Sequence, residues 1–70
     1  MTKDEFVKNI WDAVKQCPSN WRTGQAVFNV VDDVFGVARS VQFEDHVDCF
    51  YNDDAIESFI EHAWKRYQML

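Results

Sequence analysis

The sequence predicts an all-α domain, a compact bundle of three main helices plus one short helix. Three observations carry this expectation. Apolar residues recur at three- and four-residue spacing through three long segments. The outer two of those segments open on a capping residue followed three positions later by glutamate. A lone proline and a glycine in a stop position divide the segments from one another. Seventy residues with 47% hydrophobic content suit one globular domain over 1–70 and argue against wholesale disorder.

The first helix is expected from Thr2 to about Gln16. Thr2 and Glu5 match a capping box, in which each side chain satisfies an orphan backbone N–H of the other. Phe6, Ile10, Ala13 and Val14 form one face, and Lys3, Lys8, Asp12 and Lys15 the rest. Val7 and Trp11, four apart, add a second apolar strip, more than a single contact requires. Cys17-Pro18-Ser19 stops the helix, because the residue before proline avoids helical dihedrals.

A second helix is expected from about Asn20 to Phe35, with Ser19 as its cap; Thr23 as cap would start it a turn later. Ala26, Val27, Val30, Val31 and Val34 make its core stripe, flanked by Phe28 and Phe35. Arg22, Gln25, Asn29 and Asp32 make the polar stripe. Gly24 near the start costs about 1 kcal/mol against alanine and so points to close packing. Gly36 fits a left-handed stop.

Residues 37–51 admit two readings. Val37, Ala38, Val41 and Gln42 suit a short helix, which is favoured. The alternation Val37-Arg39-Val41-Phe43 against Val47-Cys49-Tyr51 would instead make a hairpin and an α+β fold, without the Asn-Gly or Asp-Gly turn that normally signals one. Asp48 to Asn52 then reads as an ordered, aromatic-rich loop. The last helix is expected from about Asp54 to Tyr67, with Asp54 and Glu57 as cap and partner and Asp53 near the positive end of the dipole. Ile56, Phe59, Ile60, Ala63, Trp64 and Tyr67 form its inner face, and Glu61 and Lys65 a favourable pair on the outer one.

Net charge is −5, and nine carboxylates between residues 32 and 61 are opposed by Arg39 alone. A chain so charged is not expected to bind nucleic acid directly, since phosphate binding needs lysine and arginine in excess. No apolar run approaches the roughly 18 residues of a membrane span, and no signal-type segment follows Met1-Thr2-Lys3-Asp4-Glu5. A cytoplasmic address, no membrane contact and two reduced thiols, Cys17 and Cys49, are the corresponding expectations.

Motifs for catalysis are missing: there is no P-loop, nucleophile elbow, dinucleotide fingerprint or HExxH. His46, Asp48 and Cys49 are the nearest approach to a metal set but lack the spacing of a zinc site. Adjacent carboxylates such as Asp32/Asp33 point about 100° apart on a helix and do not face one substrate. No catalytic residue, metal or cofactor is therefore expected. On the polar stripe, Arg22 is expected to pair with a carboxylate such as Asp48, and Gln25 or Asn29 to tie down the backbone of the Asp48–Asn52 bend, whose polar groups need partners once buried.

Trp21-Arg22-x-Gly24-Gln25-Ala26-x-Phe28-Asn29, followed by Asp48-Cys49-Phe50-Tyr51-Asn52-Asp53 and a final amphipathic helix, resembles a group of small bacterial and phage-associated proteins of unknown function. They share an Arg-x-Gly-Gln…Asn helix and an Asp-Cys/Pro-Phe-Tyr turn. The resemblance spans about residues 11–64 and implies an intracellular, helical, non-enzymatic protein, with no catalytic residue to carry over. Cys49 stands where many of these relatives have proline, which weakens a ligand or nucleophile role for it.

Two functions compete on these residues. One is a protein–protein interaction module, also able to form a homodimer through its eleven aromatics, using Val7, Trp11, Arg22, Gln25, Asn29, Cys49, Phe50 and Tyr51. The other is an acidic, nucleic-acid-mimicking inhibitor of a DNA- or RNA-binding protein, using Asp32, Asp33, Glu44, Asp45 and Asp48.

Overall fold

In a computed structural model that describes all residues from Met1 to Leu70, the chain forms α1 (Lys3–Val14), α2 (Thr23–Phe35), α3 (Ala38–Glu44) and α4 (Ile56–Gln68). A single 3-10 turn, Asp53–Ala55, leads into α4, and there is no strand. Residues 37–51 therefore hold a short helix and a bend, not a hairpin. No helix is long and apolar enough to cross a membrane.

Helix α1 starts on the capping box expected of it: the Glu5 N–H donates to Thr2 Oγ1 (3.2 Å) and the Thr2 N–H to Glu5 Oε1 (3.0 Å). It ends at Val14, two residues early, because the amides of Gln16 and Cys17 tighten onto carbonyls three residues back. Helix α2 begins at Thr23, the later of the two expected starts, and neither Ser19 nor Thr23 caps it. Its cap comes from a distant carboxylate: the Gly24 N–H donates to Asp53 Oδ1 at 2.9 Å. Gly36 closes α2 with φ +70°, where the amide reaches back to Val31 and Asp32.

That use of Asp53 alters the start of α4. Asn52 Oδ1 accepts the Asp54 N–H at 3.0 Å, so Asn52 caps the 3-10 turn and Asp54 with Glu57 does not form the expected cap pair. Glu61 likewise reaches Lys3 on α1 and not Lys65 on its own helix, and Lys3 holds the Glu61 carboxyl below its usual range.

Phe6 and Ile10 of α1, Val27 and Val31 of α2, Val41 of α3 and Phe59 and Ala63 of α4 are fully buried together. The Phe6 ring sits among Phe35, Trp64 and Tyr67, with centroids 4.3, 5.1 and 5.5 Å away. Val34, expected in the core stripe, is 58% exposed. The last turn of α2 turns Phe35 inward instead, onto Phe6. Lys3 pairs with Glu61, and Phe6 packs on Trp64 and Tyr67, so α1 lies against α4.

Phe6→Ala should remove about 3–5 kcal/mol. A 70-residue domain has only about 3.5–10 kcal/mol in total. Urea unfolding followed by circular dichroism should show the midpoint falling by a third or more, whereas Phe6→Leu keeps most of it; a loss under about 1 kcal/mol for the alanine variant would contradict this packing.

Candidate functional site

The polar side of α2 does hold the Cys49–Asn52 bend, but through different atoms from those expected. Arg22 donates from one guanidinium nitrogen to the Phe50 carbonyl and from another to the Tyr51 carbonyl at 3.0 Å. It does not reach the Asp48 carboxylate. Backbone carbonyls suit a planar, forked donor, and Asp48 is already occupied: its Oδ1 accepts the Phe50 N–H (2.8 Å) and its Oδ2 the Gln42 amide (2.9 Å). Gln25 and Asn29 are half-buried and make no hydrogen bond to the bend. Arg22 alone ties down the backbone carbonyls of the bend from this side, and Gly24 bonds side chains beside it. The Gly24 N–H donates to Asp53 and its carbonyl accepts the Cys49 thiol at 3.2 Å.

The bend lies so close to α2 that a β-carbon on Gly24 would overlap the Cys49 carbonyl oxygen and stand 2.7 Å from Asp53 Oδ1. Cys49 is fully buried and belongs to the core, which removes it from any contact surface. Burial and the nearby Asp48 charge push its thiol up to about 12, so at neutral pH it is a thiol and a poor nucleophile. Outside the clamp, Phe50 lies edge-on to Phe28 with centroids 5.5 Å apart, and Tyr51 stands 74% exposed with the Arg22 guanidinium 5.9 Å from its ring centre.

Two surface depressions result, and they share no residue. A hollow of about 270 Å³ is edged by Phe28, Phe50 and Tyr51 with Arg39, Gln42 and Phe43 of α3. Phe43 is 69% exposed, and nothing in its spacing singles it out beyond the strand alternation that the short helix replaces. A larger groove of about 630 Å³ lies between α1 and the start of α4. Val7 and Trp11 form one wall and Ile56 and Ile60 the other, with Lys3, Glu57, Ser58 and Glu61 along the rim. The single contact surface expected from the sequence is thus two separate places, one holding Val7 and Trp11 and the other Phe50 and Tyr51.

The acidic residues are also less free than their number implies. Arg66 donates to both Asp45 oxygens, at 2.6 and 3.0 Å, and to Glu44 at 2.6 Å. His62 Nδ1 lies 3.2 Å from the same Asp45 carboxylate. Arg66 and then His62 pull the Asp45 carboxyl down to about 2 and, in return, Asp45 raises Arg66 above its usual range. Asp32 stands 4.0 Å from Arg39, while Asp33 is exposed and unpaired. His46, exposed at φ +58°, does not gather with Asp48 and Cys49, and no group of three or more His, Cys, Asp or Glu side chains could hold a metal ion.

The chain matches no protein-family model, and neither curated proteins nor solved structures give a match.

Gly24→Ala reverses the usual sign of its substitution. In an ordinary helix interior alanine gains about 1 kcal/mol over glycine; here the overlap with the bend should cost about 1–3 kcal/mol or more. Chemical denaturation that finds Gly24→Ala neutral or stabilising would rule out the close approach.

Asp45 has its own pH signature. Its folded carboxyl lies below the ordinary 3.8, so its contribution is complete above about pH 4 and is lost as pH falls towards 2. The stability gap between the protein and Asp45→Asn should therefore stay constant from about pH 7 to 5 and close steadily below about 4. A gap that widens on acidification would show that Arg66 does not hold the ionised form.

Proposed function

We propose that the chain is a small, non-enzymatic protein-binding module that receives its partner in the groove between α1 and α4. The observation that supports this reading is the groove itself, lined by Val7 and Trp11 of α1 and by Ile56 and Ile60 of α4. A tryptophan at the centre of an apolar cleft with a polar rim has the composition of residues that dominate binding energy. The other features point away from chemistry: the Cys49 sulfur is protonated and spent on a backbone carbonyl, and Asp45 is held ionised by Arg66.

The nucleic-acid-mimic reading draws less support. Glu44 and Asp45, two of its five carboxylates, share an ion pair with Arg66, and Asp48 is turned into the bend. Self-association draws less support as well, because two copies each carry −5 and repel.

A photo-crosslinking amino acid at Ser58, on the groove rim, tests the proposal in cells that make the protein. A discrete heteromeric adduct should form from Ser58 and not from exposed Gln68, and Trp11→Ala should abolish it. Equal labelling from both positions, or an adduct indifferent to Trp11, would remove the groove from consideration.

A further inference from the structure

We infer that the groove takes an amphipathic α-helix with a basic flank, supplied by a partner protein; this rests on the groove being the binding surface. The geometry of the floor points to a helix. Val7 and Trp11 stand four residues apart on α1, and Ile56 and Ile60 four apart on α4, so each wall carries two apolar residues one turn apart. One helical turn is about 5.4 Å, the spacing at which a third helix presents side chains four residues apart. A helix also satisfies its own backbone. The floor consists of side-chain carbon and offers no strand edge to an extended peptide in this all-α chain.

The charge around the floor sets the character of the flank. Lys3, the groove's only cation, is already bound to Glu61. Glu57 makes no ion pair or hydrogen bond, and Asp54 just before α4 uses only its backbone N–H in the capping turn. The rim is therefore net negative, with the Glu57 carboxylate left unpaired. Lysine or arginine beside the apolar anchors of an incoming helix would meet that field and quicken the encounter. A second copy of the chain would bring like charge instead.

The test is NMR titration of the intact, isotope-labelled protein with two synthetic peptides. Both carry leucines at helical spacing; one has lysine at its polar positions and the other glutamate. The lysine peptide should shift the amides of Val7, Trp11, Ile56 and Ile60 and the indole N–H of Trp11, leaving that of Trp21 in place. Val7→Asp should weaken it by about tenfold or more, since an ionised carboxylate would enter the apolar contact. That variant is more acidic, so attraction by charge alone predicts tighter binding and the two explanations separate. Ser58→Trp, at an exposed position that spares the core, fills the groove and should weaken binding equally if Val7→Asp does not fold.

Glutamate-peptide binding of equal strength in the same place would overturn the basic flank while leaving the groove reading intact. Shifts scattered over the acidic surface and unaffected by Ser58→Trp would overturn the inference. Silence in the groove with both peptides would overturn it too; the Ser58 crosslink would then report separately whether the groove binds any partner.

Discussion

The approach of the Cys49 carbonyl to the backbone of Gly24 is the constraint on which the rest of the molecule depends. Residues 45–52 form no regular element, yet Cys49 among them is fully buried, so their polar backbone must be satisfied from elsewhere. Arg22 takes two carbonyls, Asp48 takes one amide, and the Cys49 thiol closes onto Gly24. Only a residue without a side chain lets the two backbones come so near. The same contact brings Asp53 to the start of α2, where it replaces a missing local cap. Helix α4 begins just after Asp53, so the bend also fixes where α4 starts and which of its residues face α1.

What the sequence made legible follows from the range of each interaction. The Thr2–Glu5 capping box, the Gly36 stop and the three long helices depend on residues at most a few positions apart, and they were readable. Gly24 was readable as a close-packing position because its helix cost demanded some return. Its partner was not, since Cys49 lies 25 residues away. Arg22 was correctly aimed at the bend but assigned a carboxylate, because pairing rules favour opposite charge and say little of carbonyls crowded at one turn. The backbone bonds that Gln25 and Asn29 invite are made instead by the side chains of Arg22 and Asp48. The second apolar strip, Val7 and Trp11, is visible on α1; that it lines one groove with Ile56 and Ile60 depends on how α1 packs on α4.

Charge behaves in the same way. Counted along the chain, the acidic run looks like one continuous field. Folding divides it. Arg66 reaches back from α4 to pair with Glu44 and Asp45 at the end of α3, which ties those two elements and offsets one of their two charges. Asp48 and Asp53 are consumed in the bend and the α2 cap. Asp33, Asp54 and Glu57 make no ion pair or side-chain bond of their own, and the last two sit at the start of α4, where the helix dipole favours negative charge. Negative potential is therefore retained beside the groove and reduced around α3.

Small size explains why such a groove exists at all. A domain of this length buries only about 60% of the surface of its unfolded chain. Helix α1 buries Phe6 and Ile10 fully in the core, while Val7 and Trp11 pack on it only in part. The part of a tryptophan left exposed forgoes a fraction of the about 1.5–3 kcal/mol of burial per large side chain. In a fold of marginal stability that loss matters, and a partner that closed the groove would return it by linkage, about 2.7 kcal/mol at a hundredfold excess over Kd. Binding and folding would then share one apolar surface. The proposed partner would act as the missing helix of an incomplete bundle, and Trp11 would be both its main contact and the residue whose exposure it relieves.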